Sequence, residues 1–212
     1  TGIHVSTSKN LKIGDWIGIP KYNIEGNIQD INLLTTKIVN FDKTISTIPT
    51  YDLLSTEIRN HQVMYEGSSR RIKRSIYFNI KSFKFVDDEF YEKVKDINLI
   101  SEYLDRKLRE IAESKKNIPH AERIINGQQL TNIGLFRNYV LNYLKNNPKV
   151  DQDEIVLVRQ LEISPQGMPL EIYCFANKAE LVDYERIQAD IFDHILTAAQ
   201  EFDLEIMQVA KA

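Results

Sequence analysis

The chain has 212 residues, 27% of them charged and 42% hydrophobic, and a net charge of -3. That length buries one large or two small cores, and the slightly acidic balance excludes a generally basic nucleic-acid binder. The single cysteine, Cys174, excludes an internal disulfide framework and fits a reducing compartment.

No apolar run approaches the roughly 18–20 residues a membrane-spanning helix needs, and no signal-peptide pattern opens the chain. Thr1-Gly2-Ile3-His4-Val5 lacks an initiator methionine and flows straight into a folded pattern. It reads as the start of a fragment cut from something longer.

Residues 11 to about 62 are strand-rich. Gly14-Asp15 predicts a turn, Trp16 to Ile19 a short strand stopped by Pro20, and Glu25-Gly26 a second turn. Val39 and Phe41 alternate with Asn40 ahead of Asp42-Lys43, which reads as a two-residue hairpin loop. Ile45 to Ile48 returns and Pro49 ends that strand. Short strands at spacings near ten residues suggest a small barrel or sandwich.

The remainder has a different texture. Ile72, Ile76, Phe78 and Ile80 predict one long half-buried strand interrupted by Arg74. Asp87-Asp88 caps a helix carrying Phe90, Val94, Ile97, Leu104, Leu108 and Ile111, ended by Lys115-Lys116. Residues 114–130 read as an irregular excursion. Thr131 caps a second helix, with Leu135, Phe136, Tyr139, Val140, Tyr143 and Leu144, stopped at Asn147-Pro148.

Ile155, Leu157, Leu161 and Ile163 alternate as a strand, Pro165-Gln166-Gly167 turns, and Leu170 to Ala176 is the hairpin partner. A final helix presents Leu181, Tyr184, Ile187, Ile191, Ile195, Ala198 and Phe202, and Leu204 to Val209 could close the sheet. The order β-α-(α)-β-β-α-β is the split βαβ, ferredoxin-like arrangement with an insertion.

Catalytic constellations are weak. Asp190 and His194 stand four apart on the last helix, a spacing that can place two metal ligands on one face or simply form an exposed pair. His4, His61 and His120 have no acidic or cysteine partner at ligand spacing. Cys174, between Tyr173 and Phe175 in a strand, reads as a buried structural thiol. No Walker A, G-x-G-x-x-G or G-x-S-x-G sequence is present. The expectation is no enzyme, with no catalytic, cofactor-binding or metal residue.

One charge anomaly remains. Arg59, Arg70, Arg71, Lys73, Arg74, Lys81 and Lys84 face a single acid, Glu66, with Tyr65, Tyr77 and Phe78 nearby. The stretch could be a nucleic-acid surface, or could pair with acids such as Asp87-Asp88-Glu89.

Leu11-Lys12-Ile13-Gly14-Asp15-Trp16-Ile17, Gly26-Asn27-Ile28-Gln29-Asp30-Ile31 and Thr36-Lys37-Ile38 with Phe41-Asp42 and Ile48-Pro49 resemble the β-domain of the bacterial small-conductance mechanosensitive channel family. Arg70-Arg71-Ile72-Lys73-Arg74-Ser75-Ile76, Thr131 to Arg137, Val158-Arg159-Gln160-Leu161 and Gln188 to His194 resemble its miniconductance subgroup. Many relatives have Pro-Asn where this chain has Pro49-Thr50, as the subgroup does.

The resemblance implies a fold of all-β plus α+β. A small Sm-like β-barrel at residues 11–66 precedes a ferredoxin-like α+β vestibule domain at residues 67–212, inserted near 114–130. Residues 1–10 would link to a pore helix that the chain lacks. It further implies the cytoplasmic vestibule region of a mechanosensitive ion channel, opened by membrane tension on osmotic downshift. Inorganic ions would be the permeants, with seven subunits per ring at the inner membrane. The basic stretch could then line the vestibule. The alternative is an Sm-like nucleic-acid-binding module using Arg59 to Lys84.

Overall fold

Residues 11–208 are described by a computed structural model, in which the chain divides into two units between Ser68 and Ser69. The expected linker at residues 1–10, with His4, lies outside the described residues, as does Val209 at the end of the expected closing strand.

In the first unit, Gly14 takes φ +96 with open space where a Cβ would stand, so the turn needs glycine for its backbone alone. Asp15 is buried beside it, its Oδ2 accepting from the Lys12 N–H (3.0 Å) and the Asn60 amide (3.2 Å). This launches β1 (Trp16–Ile19), which Pro20 ends by opening a 3-10 turn, Pro20–Tyr22. Asn23, at φ +50, closes that turn.

Then follow β2 (Ile24–Ile31), β3 (Thr35–Asn40), β4 (Ile45–Pro49), a short helix α1 (Thr50–Ser55), β5 (Arg59–Asn60) and α2 (Gln62–Glu66). The strands form one antiparallel sheet in the order β4-β3-β2-β1-β5. Its core is seven buried apolar side chains, among them Ile17, Ile19, Ile28, Ile38 and Ile48. Thr50 pins the β2–β3 connection: its hydroxyl donates to the Asn32 carbonyl (2.8 Å) and lies 3.0 Å from the buried Thr36 hydroxyl.

Two expected turns differ. Glu25-Gly26 lies within β2, paired with Ile17 and Asn40. Gly26 is required there because a Cβ would sit 2.1 Å from the Val39 carbonyl oxygen; the glycine serves close strand approach rather than a turn. The β3–β4 loop holds three residues, Phe41-Asp42-Lys43, closed by Asn40 N–H to Thr44 O at 2.8 Å. Lys43 sits at φ +67, the left-handed position that ends such a loop.

The second unit is a helix-covered sheet. Strands β6 (Arg70–Phe78), β7 (Leu157–Gln160) and β8 (Met168–Ala176) run in the order β6-β8-β7, with β8 antiparallel to both. Residues 205–207 lie along the free edge of β6 through a Phe78–Ile206 bridge and two hydrogen bonds, Asn79 N–H to Glu205 O (2.9 Å) and Met207 N–H to Tyr77 O (2.8 Å). The strand succession is thus that of the split βαβ, its fourth strand reduced to one bridge.

The helices are α3 (Asp88–Val94), α4 (Asn98–Lys115), α5 (Asn132–Lys145) and α6 (Leu181–Ala198). Asp87 caps α3 through the Phe90 N–H (2.8 Å) and Thr131 caps α5 through the Gly134 N–H (3.2 Å). The core joins Ile72, Ile76 and Phe78 of β6 and Leu170, Ile172 and Cys174 of β8 to Phe136, Val140, Ile187 and Ile191 of the helices. Phe136 meets Phe78 and Phe202 edge-on, at 5.6 and 5.3 Å.

Four further expectations are corrected. The helix expected from Asp87 is two: Ile97 turns extended (φ -78, ψ 104), breaking it between residues 95 and 97, where Asp96 and Asn98 are poor helix formers. The strand expected over 155–163 narrows to β7 with the opposite parity. Val158 is 6% exposed, whereas Ile155 and Ile163 are 65% and 63% exposed. Val158 stands opposite Ile172, whose strand buries its even-numbered residues toward the helices, and register fixes the face for both. Leu181 likewise lies exposed at the start of α6, and Ile80 in a 3-10 turn. Residues 116–131 hold no helix or strand of their own.

Candidate functional site

In the first unit the notable surface is apolar. Leu33, Leu34, Phe41, Ile45, Tyr51 and Val63 are all exposed, beside a core of only seven side chains. Strands β4 and β5 end the sheet order, so each has a flank without a neighbouring strand in this sheet. Trp16 packs between Phe41 (5.4 Å, edge-on) and His61 (4.9 Å), with its indole N–H donating to Glu25 at 3.2 Å. Such a surface can bury area against another chain.

The basic residues from Arg59 to Lys84 do not converge. Arg59 pairs with Glu57 (3.0 Å) in the first unit, and the others belong to the second. Alternation along β6 sends Arg70 and Arg74 to the helix side, where their guanidinium groups lie 4.3 Å from the rings of Tyr184 and Phe192. Arg71 and Lys73 take the open side, near Tyr173 and Glu171. Lys84 pairs with Asp203 (2.7 Å), which Lys93 also contacts (2.6 Å), and the two ammonium groups hold the Asp203 carboxyl below the usual carboxylate range. Lys81 lies in the 3-10 turn Ile80–Ser82.

Asp190 and His194 share α6 but serve different partners. Asp190 pairs with Lys149 at 2.7 Å. The His194 ring stacks on Tyr143 (4.2 Å, 6°) and its Nε2 is 2.7 Å from the Tyr139 hydroxyl. Partial burial pushes the hydroxyls of Tyr139 and Tyr143 above their ordinary range. His120 stands 3.4 Å from Glu122. Among the described residues no three His, Cys, Asp or Glu side chains gather as metal ligands would. Cys174 is fully buried and its thiol is pushed up to about 12, so at neutral pH it is a thiol rather than a nucleophilic thiolate.

Sequence reading passed over two arrangements. Glu171, 5% exposed in β8, accepts from Arg159 (2.7 and 2.8 Å), with Lys73 3.9 Å away. Asn132 is fully buried and makes four side-chain hydrogen bonds. A lone polar residue inside an apolar helix start was the available signal for the latter. Glu171 gave one too, as the only charge inside an otherwise apolar strand.

No helix of the described residues is long and apolar enough to cross a membrane. Residues 1–63 match the family model for the mechanosensitive ion channel β-domain, and residues 101–206 the model for the C-terminal region of the mechanosensitive ion channel MscS. The chain is 24% identical over 200 residues to the low conductance mechanosensitive channel YnaI of Escherichia coli (strain K12), covering 94% of this chain and 44% of that protein. It is 31% identical over 80 residues to an uncharacterized MscS family protein of Aquifex aeolicus (strain VF5), covering 38% of this chain and 19% of that one. The chain thus spans less than half the length of these curated relatives.

Among solved structures, the fold is similar to Arabidopsis thaliana MSL1 (TM-score 0.62, 15% identity, covering 98% of this chain and 57% of that one). It is also similar to Helicobacter pylori MscS in its closed state (TM-score 0.56, 15% identity, 100% and 62%).

Proposed function

The chain belongs to the MscS family of mechanosensitive ion channels, and on that premise we propose that it is the cytoplasmic vestibule region of a channel opened by membrane tension on osmotic downshift. Inorganic ions are the permeants, and the membrane helices that carry the pore belong to the longer protein. In that protein the region sits on the cytoplasmic side of a bacterial inner membrane. The observation that carries this reading is that two models of one channel family match the chain in succession, one in each unit.

Residues 1–10 serve as the link to the pore helix, residues 11–66 as the β-domain collar, and residues 67–212 as the vestibule wall. The assembly is a homo-oligomer, a heptamer. Its support is physical: a seven-residue core beside exposed large apolar side chains such as Leu33, Leu34, Phe41 and Val63 leaves a small unit with surface to bury, and sheet edges seek partners. The region has no catalytic role, in keeping with relatives that are channels. The nucleic-acid reading loses its footing because the cations of Arg59 to Lys84 are divided between two units and two sheet faces.

The test is electrical. The full-length protein, reconstituted in liposome patches, should give currents that rise with suction, and native mass spectrometry should give seven copies. Patches that stay silent up to membrane rupture, with the protein verified in the bilayer, refute tension gating; another copy number refutes the heptamer.

A further inference from the structure

We propose that the groove between α4 and α5 binds a neutral polyhydroxylated small molecule, a sugar or polyol. Asn138 and Asn142 on α5 and Asn146 at its C-cap recur every four residues and so form one stripe, with a repeat of about 6 Å along the helix. Asparagine is a poor mid-helix residue because its amide competes for backbone groups, so Asn138 and Asn142 are not what helix formation favours.

The stripe lines a groove of about 320 Å³ that Asn98, Glu102, Tyr103 and Arg106 complete. Through the shared Leu99 and Asn146 it continues into a second hollow of about 420 Å³, bounded by Tyr143, Asn147, Lys149 and Asp190. These volumes suit a small molecule.

The hydrogen bonds show what is left to offer. The Asn142 amide nitrogen donates to the Leu99 carbonyl (2.6 Å) and to Asn138 Oδ1 (3.1 Å), and the Asn146 amide nitrogen donates to the Asn142 carbonyl (2.8 Å). Among the described residues, Asn138 Nδ2, Asn142 Oδ1 and Asn146 Oδ1 make no hydrogen bond, nor do the side chains of Asn98 and Glu102. A donor and two acceptors therefore stand in a row, held in place by bonds at the other end of each amide. Hydroxyl groups, which both donate and accept, are the ligand chemistry that such a row satisfies.

Charge selects against ions. Glu102 and Asp190 balance Arg106 and Lys149, and Lys149 is already bound to Asp190 at 2.7 Å. Tyr103 and Tyr143 also line the two hollows. Each hydroxyl exchanges water's hydrogen bonds for the protein's, so affinity is weak, in the millimolar range.

The test is a titration of the ¹⁵N-labelled chain with trehalose and glucose, and with glycine betaine, a zwitterion without hydroxyls. Side-chain amide signals of Asn138, Asn142 and Asn146 should shift saturably with the sugars and not with betaine. Asn138→Ala and Asn146→Ala should each weaken binding by about tenfold, and Asn117→Ala, outside the groove, should leave it unchanged. Shifts that are linear and spread over the surface, equal saturation by betaine, or affinity unchanged in both groove variants would overturn the proposal. The comparison of sugars with betaine needs no variant, so it stands even where a substitution unfolds the protein.

Discussion

Asn132 offers a direct test of how the second unit is held together. Its Oδ1 accepts from the N–H groups of Lys84 (3.0 Å) and Ile133 (2.9 Å), and its Nδ2 donates to the carbonyls of Ser82 (2.9 Å) and Phe202 (3.1 Å). One side chain thereby joins the segment after β6, the start of α5 and the turn after α6, with no exposure to water. Asn132→Ala leaves those four groups without their partner, at about 1 kcal/mol each, or about 4 kcal/mol in all. Against a total stability of roughly 5–15 kcal/mol this is a large fraction. At roughly 2–4 °C per kcal/mol, melting should fall by about 8–16 °C. Far-UV circular dichroism reads this, since α4, α5 and α6, the longest helices, all lie in the second unit. Fluorescence of Trp16, the only tryptophan, follows the first unit separately. Asn132→Asp retains the acceptor but loses both donated bonds and buries a charge, so it should be at least as damaging. A shift below about 2 °C in Asn132→Ala would refute the reasoning, because four buried groups would then have found other partners at no cost.

Gly26→Ala should destabilise the first unit by about 2 kcal/mol or more, seen in the Trp16 transition, since its Cβ would overlap the Val39 carbonyl at 2.1 Å; an unchanged midpoint would show the strands can part freely. Lys43→Gly should raise stability by about 0.5–1 kcal/mol by relieving φ +67, and urea titration would expose a neutral or harmful effect. Cys174 should resist a thiol reagent in the native chain and react once urea unfolds it; rapid native labelling would contradict its burial. Its folded value, about 12, lies above the ordinary 9.0, so the unfolded chain releases the proton first. The resulting stability is whole below pH 9.0 and is lost as pH rises toward 12, at about 1.4 kcal/mol per unit. Cys174→Ala should flatten that slope in alkaline denaturation curves.

What the sequence by itself determined is what local chemistry determines. Gly14 marked a turn because the turn needs positive φ, Asp87 and Thr131 marked helix starts because their oxygens accept orphan N–H groups, and Pro20 ended a strand because it cannot donate. The two textures, and the succession of motif blocks, were legible for the same reason. The candidate surfaces were legible only in part. Asp190 and His194 could be named, but not their separate engagement with Lys149 and with Tyr139 and Tyr143.

Tertiary structure decided whatever depends on a partner distant in sequence. Gly26 serves a neighbouring strand rather than a turn, because only the β2–β3 pairing brings Val39 against it. Apolar residues of both parities precede β7, and the register against β8 turned Val158 inward and left Ile155 out. The row of basic residues was divided between units and faces by the boundary between Ser68 and Ser69 and the pleat of β6. Periodicity states which faces a segment has; only pairing states which face is buried, since that energy lies between segments.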